Sequence, residues 1–355
     1  MKKRKTAALI AAFVLLISFG AATEEETEKI FLGDLEIEVE EETINEFENS
    51  QDGSPTVPEW ADVILNARGF LDDGEYVLED EEEGHYMYVS PTIRVQIERT
   101  YEVPNREHPF YCFTAHIWCD TEGGELPFVA DSDPENPGHA PKCIRDIAVE
   151  NNAVFATSTD YYTYRSGAKA QDYKFYHVGI IIRHGNILWD DPMTREMDMP
   201  NYETFAILDN GDAESYMSTD YSADQYLADG ATEVFTFGPC LVRDGELTEY
   251  IKRANKSYNP RLALGVAEAG HYVAVLCEGR VARSKGVQMA HLAQIMKDNG
   301  CRIAVNMDGG QTAVFAFMGK QLNQVIEELP RGRAQVEALV FGTSELAGLG
   351  AENGK

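Results

Sequence analysis

The sequence predicts a strand-rich single domain of the α+β or mixed α/β class, in which a mixed β-sheet is flanked by helices. Strand-like apolar runs outnumber helical patterns. One helical stretch lies between two such runs, as in a β–helix–β crossover. No internal repeat, and no Pro/Gly-rich linker after Pro141, divides the body of the chain.

Taken in order, VPEWADVILNARGF (residues 57–70) predicts a short amphipathic helix with Val63, Ile64 and Ala67 on one side. After Gly84, the runs HYMYVS, TIRVQIERTYEV and FYCFTAHIWCD read as β-strands. A Pro/Gly/Asp stretch over residues 131–141 leads into a predicted helix over 142–151. NAVFATS reads as a buried strand. FYHVGIIIRHGNILW reads as two strands joined at His184-Gly185-Asn186, where Gly and Asn tolerate positive φ. FAILD, EVFTFG, LALGVAE and HYVAVLCEG are further strands. VQMAHLAQIMKDNG spaces Val287, Ala290, Leu292, Ile295 and Met296 as a helix face, with Gly300 as its C-cap. That helix feeds CRIAVNM, and TAVFAFMG and VEALVFG finish the body.

The chain has 355 residues, 44% of them hydrophobic, enough for a sizeable core and incompatible with wholesale disorder or a collagen repeat. Its net charge of −30 excludes nucleic acid as an expected partner, since phosphate backbones call for a cationic surface. The charge is uneven. Residues 23–83 hold 23 acids against Lys29 and Arg68, a net −21, and read as a solvated, self-repelling leader ahead of a body over 84–355. Before it, Lys2, Lys3, Arg4 and Lys5 precede an apolar run from Thr6 to Gly20 and then Ala21 and Ala22. Residues 1–22 therefore read as a signal peptide or an N-terminal membrane anchor, tethering through 6–22 if retained. Either alternative places the body outside the cytoplasm. Six separated cysteines form no CxxC, so a zinc ribbon is not expected and their pairing is open.

Five segments carry candidate chemistry. Asn306-Met307-Asp308-Gly309-Gly310-Gln311-Thr312 ends a buried strand in polar side chains and two glycines, which suits a ligand cleft and equally an Asp-Gly hairpin turn. Asn259-Pro260-Arg261 precedes LALGV, and Cys277-Glu278-Gly279-Arg280 with Ser284-Lys285-Gly286 follows YVAVL. Each puts an Arg at a strand end, a donor suited to phosphate or carboxylate and also common in surface ion pairs. Ser158-Thr159-Asp160-Tyr161-Tyr162 runs from a strand into an acid and two aromatics, and residues 237–245 (FGPCLVRDG) read as strand, turn and hairpin.

On ENNAVFATSTDYY, GIIIRHGNILW, FTFGPCLVRDG, NPRLALGV and CEGR…SKGVQMAHLAQIMKDNGCRIAVNMDGGQTAVFAFMGKQLNQV, in that order, the chain resembles the phosphodiester glycosidases. This is the family of N-acetylglucosamine-1-phosphodiester α-N-acetylglucosaminidase, with many bacterial exported members. The resemblance covers residues 84–344. Departures are Thr159 where the family has a glycine, Glu278 where it has Asp, and NMDGGQT for its Asn-Leu-Asp-Gly-Gly-Gly-Ser. A Cβ at position 159 is expected to crowd the cleft.

The resemblance implies an exported hydrolase that cleaves the anomeric C–O bond of sugar-1-phosphodiesters in cell-envelope or extracellular polysaccharide metabolism. Asp160, Glu278 and Asp308 are then the catalytic candidates, as base, nucleophile or oxocarbenium stabiliser. Arg261 and Arg280 would take the phosphate, with Tyr161, Asn259, Ser284, Asn306, Gly309, Gly310 and Thr312 completing the substrate site. No metal or cofactor is expected. There is no HExxH, and His85, His108, His116, His139, His177, His184, His271 and His291 are scattered. Two alternatives stay open: a non-catalytic envelope module that binds carbohydrate or phosphate, and a metal-dependent phosphodiesterase.

Overall fold

The computed structural model describes residues 28–32, 35–39, 56–136, 139–160, 179–191, 203–251 and 256–349. The expected signal or anchor, residues 23–27, 33–34 and 40–55 of the acidic leader, Tyr161, Tyr162 and His177 lie outside the described residues. Among the described residues no helix is long and apolar enough to cross a membrane.

The leader contributes one antiparallel hairpin, β1 (Glu28–Leu32) with β2 (Leu35–Val39). The body opens with β3 (Tyr76–Asp80), β4 (His85–Val89), β5 (Ile93–Glu102), β6 (Phe110–Cys119) and β7 (Phe128–Asp131). Helix α1 (Ile144–Glu150), β8 (Ala153–Thr157), β9 (Gly179–Arg183), β10 (Asn186–Asp191), β11 (Glu203–Leu208) and β12 (Ala213–Glu214) follow. Then come α2 (Ala223–Ala228), β13 (Ala231–Phe237), β14 (Cys240–Arg243), β15 (Glu246–Leu247), β16 (Arg261–Glu268) and β17 (His271–Cys277). Helix α3 (Met289–Asp298), β18 (Ile303–Met307), β19 (Phe315–Phe317), β20 (Lys320–Gln321), β21 (Glu337–Thr343) and α4 (Glu345–Leu349) complete the chain.

Besides the β1–β2 hairpin, three sheets form among the described residues. The largest has nine strands in the order β15-β14-β18-β16-β17-β6-β5-β4-β3. Two five-stranded sheets run β10-β9-β13-β11-β12 and β20-β19-β8-β21-β7. Every strand pairing among the described residues is antiparallel, so the expected mixed sheet is corrected. The crossover survives in another form: β17 and β18 are both antiparallel to β16, hence parallel to each other with β16 between them.

Strand alternation sorts the core into layers. One face of the nine-stranded sheet (Ile97, Phe113, Leu264, Leu276, Val305) packs against Phe155, Phe315 and Phe341 of one small sheet and Phe205 and Phe235 of the other. The opposite face (Val273, Val275, Ala263, Ala304) is covered by Met289, Leu292, Ala293 and Met296 of α3. That spacing is one helical stripe, and each buried Leu or Met side chain in it contributes roughly 1.5–3 kcal/mol. Helices α1 and α2 cover one face of each small sheet in the same way. The expected flanking by helices is overstated, for the described residues hold only four short α-helices on a strand-built molecule. The C-cap of α3 is Asn299, and Gly300 follows it at φ 73°.

The helix expected over residues 57–70 does not form. The segment lies as an irregular strap on the sheet, with Trp60 stacked on His85 at 4.6 Å and donating to Glu98 at 3.2 Å. Asn66 turns it by accepting from the Arg68 and Phe70 amides, and Ile64 faces solvent. The sheet also begins before Gly84, because β3 pairs with β4. At the opposite edge, β14 and β15 meet through Asp244 and Gly245, both at positive φ, whose turn bonds the Arg302 carbonyl.

Candidate active site

The site lies where the first residue of β16 meets the last residues of β17 and β18. Arg261 faces Cys277 in register, and Leu262 faces Met307. The loops leaving these strands then close on Asn259-Pro260-Arg261 to backbone contact, and only glycines permit it. A Cβ on Gly309 would stand 2.6 Å from the Pro260 carbonyl oxygen, and one on Gly279 2.7 Å from the Pro260 nitrogen. Gly286, at φ 103°, would press a Cβ onto the Asn259 backbone at 2.6 Å. The Gly310 amide donates to the Pro260 carbonyl at 3.0 Å.

Arg280 bridges these loops. Its Nη2 donates to Asn259 Oδ1 at 2.7 Å, and its guanidinium lies beside Gly310. Its backbone sits at φ 61°, an uncommon conformation for a side chain of this size. Arg261 donates through Nη2 to the Ser257 carbonyl at 3.3 Å, while its Nε is buried without a hydrogen-bond partner. Burial pushes the Arg261 pKa down to about 10, and the nearby charge of Arg280 acts in the same direction. No carboxylate of the described residues pairs with either guanidinium. Two neighbouring cations therefore stand at one end of the sheet without a carboxylate paired to either among the described residues, and the half-buried Asp308 lies on the adjoining loop.

The end of β8 supplies the other wall. The Asp308 amide donates to the Thr159 carbonyl at 3.4 Å, and the Val314 amide to Ser158 Oγ at 3.4 Å. Asp160 is buried and accepts the Thr236 amide of β13 at 2.7 Å. The strand β13 leads to Gly238-Pro239, to which Asn306 is bonded by its backbone and by its Nδ2 at 2.9 Å. Asn306 Oδ1 is buried without a hydrogen-bond partner. All five sequence segments thus adjoin one another.

Their members do different things. Asp308, Arg261, Arg280, Asn259, Gly309 and Gly310 stand at or near the surface of the cluster. Ser284 is instead fully buried: its Oγ accepts from the Tyr111 amide at 2.8 Å and donates to Glu278 at 3.2 Å. Thr312 is buried as well, bonded through its backbone to Gly309 and Gln335. Glu278 is buried, and both its oxygens are committed, to Arg283 in a bidentate pair, to Ser284 and to the Gln324 amide at 2.6 Å. These contacts fit a brace for the 278–286 loop rather than a group facing substrate. The Thr159 side chain does not enter the cleft. It turns inward and donates to Glu337 at 3.0 Å.

Sequence reasoning missed that inner group. Arg183 of β9 clasps Glu337 of β21 at 3.0 and 2.7 Å, lies 3.9 Å from Asp160 and stacks over Phe235. Burial opposes the Arg183 charge, but Glu337, Asp160 and Glu233 outweigh it and raise its pKa. The signal was present: an Arg closing the apolar run GIIIR and a Glu opening EALVF are costly in buried strands unless paired. The histidines are not all scattered, for His116 and His271 meet at 3.0 Å. Among the described residues no group of three or more His, Cys, Asp or Glu is placed to hold a metal.

The chain is similar to known proteins in sequence and in fold. Over 150 residues the chain is 27% identical to the SPbeta prophage-derived uncharacterized protein YomE of Bacillus subtilis (strain 168), an alignment spanning 40% of this chain and 23% of that protein. Its fold is similar to the zebrafish N-acetylglucosamine-1-phosphodiester alpha-N-acetylglucosaminidase catalytic domain, with TM-score 0.55 and 15% identity over 78% of this chain and 90% of that one. The family model described as phosphodiester glycosidase matches residues 151–340, which contain all five segments of the site. On that match, the chain belongs to the phosphodiester glycosidase family.

Proposed function

We propose that this protein is an exported hydrolase that cleaves the anomeric C–O bond of a glycosyl-1-phosphodiester in envelope or extracellular polysaccharide. One observation carries the reading: among the described residues Arg261 and Arg280 stand together without a carboxylate paired to either, next to the Asp308 loop and its glycine turn. A phosphodiester is the anion such a pair suits, because guanidinium groups match phosphate oxygens geometrically.

The chemistry asks little acid assistance. As water adds to the anomeric carbon and gives up a proton to a carboxylate and then to solvent, the C–O bond breaks and its electron pair stays on the phosphate oxygen, leaving a phosphomonoester and a free sugar. Arg261 and Arg280 stabilise the charge that collects there. Asp308, at the surface of the cluster, serves the anomeric centre, while Asp160 behind it is held by Thr236 and Arg183 and adds negative potential. The basic and apolar residues 2–20 support export, with residues 6–22 as the tether if retained.

Incubating the purified protein with synthetic GlcNAc-1-phosphodiesters and assaying free reducing sugar tests the proposal. Sugar release that survives EDTA is the expected result. Binding of these compounds without release would replace it with the envelope-binding module.

A further inference from the structure

Cys112 and Cys277 stand directly opposite each other on β6 and β17, with their sulfurs 3.3 Å apart. The Glu278 amide donates to the Tyr111 carbonyl at 2.9 Å, which makes the two cysteines a non-hydrogen-bonded pair of the ladder. Pairs of that kind hold their Cα atoms about 4.5 Å apart, inside the roughly 4.4–6.8 Å span that a disulfide bridges. Both side chains are buried in the apolar layer beneath α3, where the thiol form of Cys277 is strongly favoured by burial and by its neighbour. All six cysteines are free thiols in the structure, and the other four make no comparable sulfur–sulfur contact among the described residues.

We propose that Cys112 and Cys277 are joined by a disulfide in the exported protein, clipping β6 to β17 at the strand end that carries Glu278-Gly279-Arg280. The bond forms by exchange with a small disulfide such as oxidised glutathione. One cysteine thiolate attacks that disulfide and releases one thiol. The second cysteine then attacks the mixed disulfide and releases the other. The two cysteines lose two electrons, the oxidant gains them, and the two thiol protons leave with the released thiols. Because α3 seals the pair, exchange takes place before the sheet closes, and the finished bond is shielded from reductants. This inference does not depend on the enzymatic reading.

The test uses the full chain refolded in a glutathione redox buffer, then alkylated in denaturant without reductant and mapped by mass spectrometry. A linked Cys112–Cys277 peptide, with Cys119, Cys143, Cys240 and Cys301 alkylated, is expected. Alkylation of both Cys112 and Cys277, or linkage of either to another cysteine, overturns the proposal. The clip closes a loop of 165 positions, so protein refolded with reductant should melt lower by on the order of 5 °C. In a C112A/C277A variant that redox dependence should vanish, and its persistence would assign the effect elsewhere.

Discussion

Asp308 and Arg280 are the side chains whose loss should be felt in chemistry more than in folding, because both stand at the surface of the cluster. Asp308→Asn keeps the shape of the side chain and removes its charge. It should fold normally and lose at least ~100-fold in kcat on a sugar-1-phosphodiester; near-normal turnover of pure variant would take Asp308 out of the mechanism. Arg280→Gln removes a guanidinium whose one hydrogen-bond partner among the described residues is Asn259. A charged hydrogen bond to substrate phosphate is worth about 1.5–3 kcal/mol, so KM for a phosphodiester should rise tenfold or more. A neutral aryl glycoside should show no such rise, and equal losses on both substrates would deny Arg280 its phosphate.

What holds the loops and sheets together predicts a second kind of variant. Gly286→Ala places a Cβ on the Asn259 backbone at a positive φ, which should destabilise by at least about 2 kcal/mol in urea unfolding. Glu337→Leu leaves Arg183 buried without its bidentate partner between two sheets. It should cost ~3–5 kcal/mol, and adding Arg183→Leu should recover part of that loss. The strands themselves were legible because the alternation of TIRVQI and the continuous apolar runs GIIIR and LALGV leave a period-two or continuous signature. Residues 57–70 were not, since their apolar spacing mimics a helix while Trp60 finds a better partner in His85, far along the chain. The convergence of Asp160, Arg261, Arg280 and Asp308 came through the family resemblance. The inward turn of Thr159 and the bracing by Glu278 did not, because they depend on Glu337, Arg283 and Gln324, which no local spacing connects to them.

Across the protein, pH acts through groups the site does not use. Asn299 Oδ1 accepts from His116 Nε2, so neutral His116 presents Nδ1 as acceptor to His271 Nε2–H. Burial drives the His116 pKa down to about 4, and His271 is lowered by burial, by His116 and by Arg94. The unfolded chain takes up protons near pH ~6.5, whereas folded His116 resists until about 4 and His271 is held well below its usual value. Stability is therefore full above that upper value and falls on acidification toward the lower one. The buried carboxyls Glu203, Glu233 and Asp131, raised by desolvation, work in the opposite sense. A His116→Gln/His271→Gln variant should flatten the slope of urea midpoint against pH between about 6.5 and 4; an unchanged slope would place its origin elsewhere. The Asp244–Gly245 turn has a practical use in such work. It bonds Arg302, at the far end of β18 from Asp308, roughly 20 Å away at the usual strand rise, and a Cβ on Gly245 would meet open space. A fluorophore or immobilisation tag spliced there would ride on the pole opposite the chemistry and leave it undisturbed.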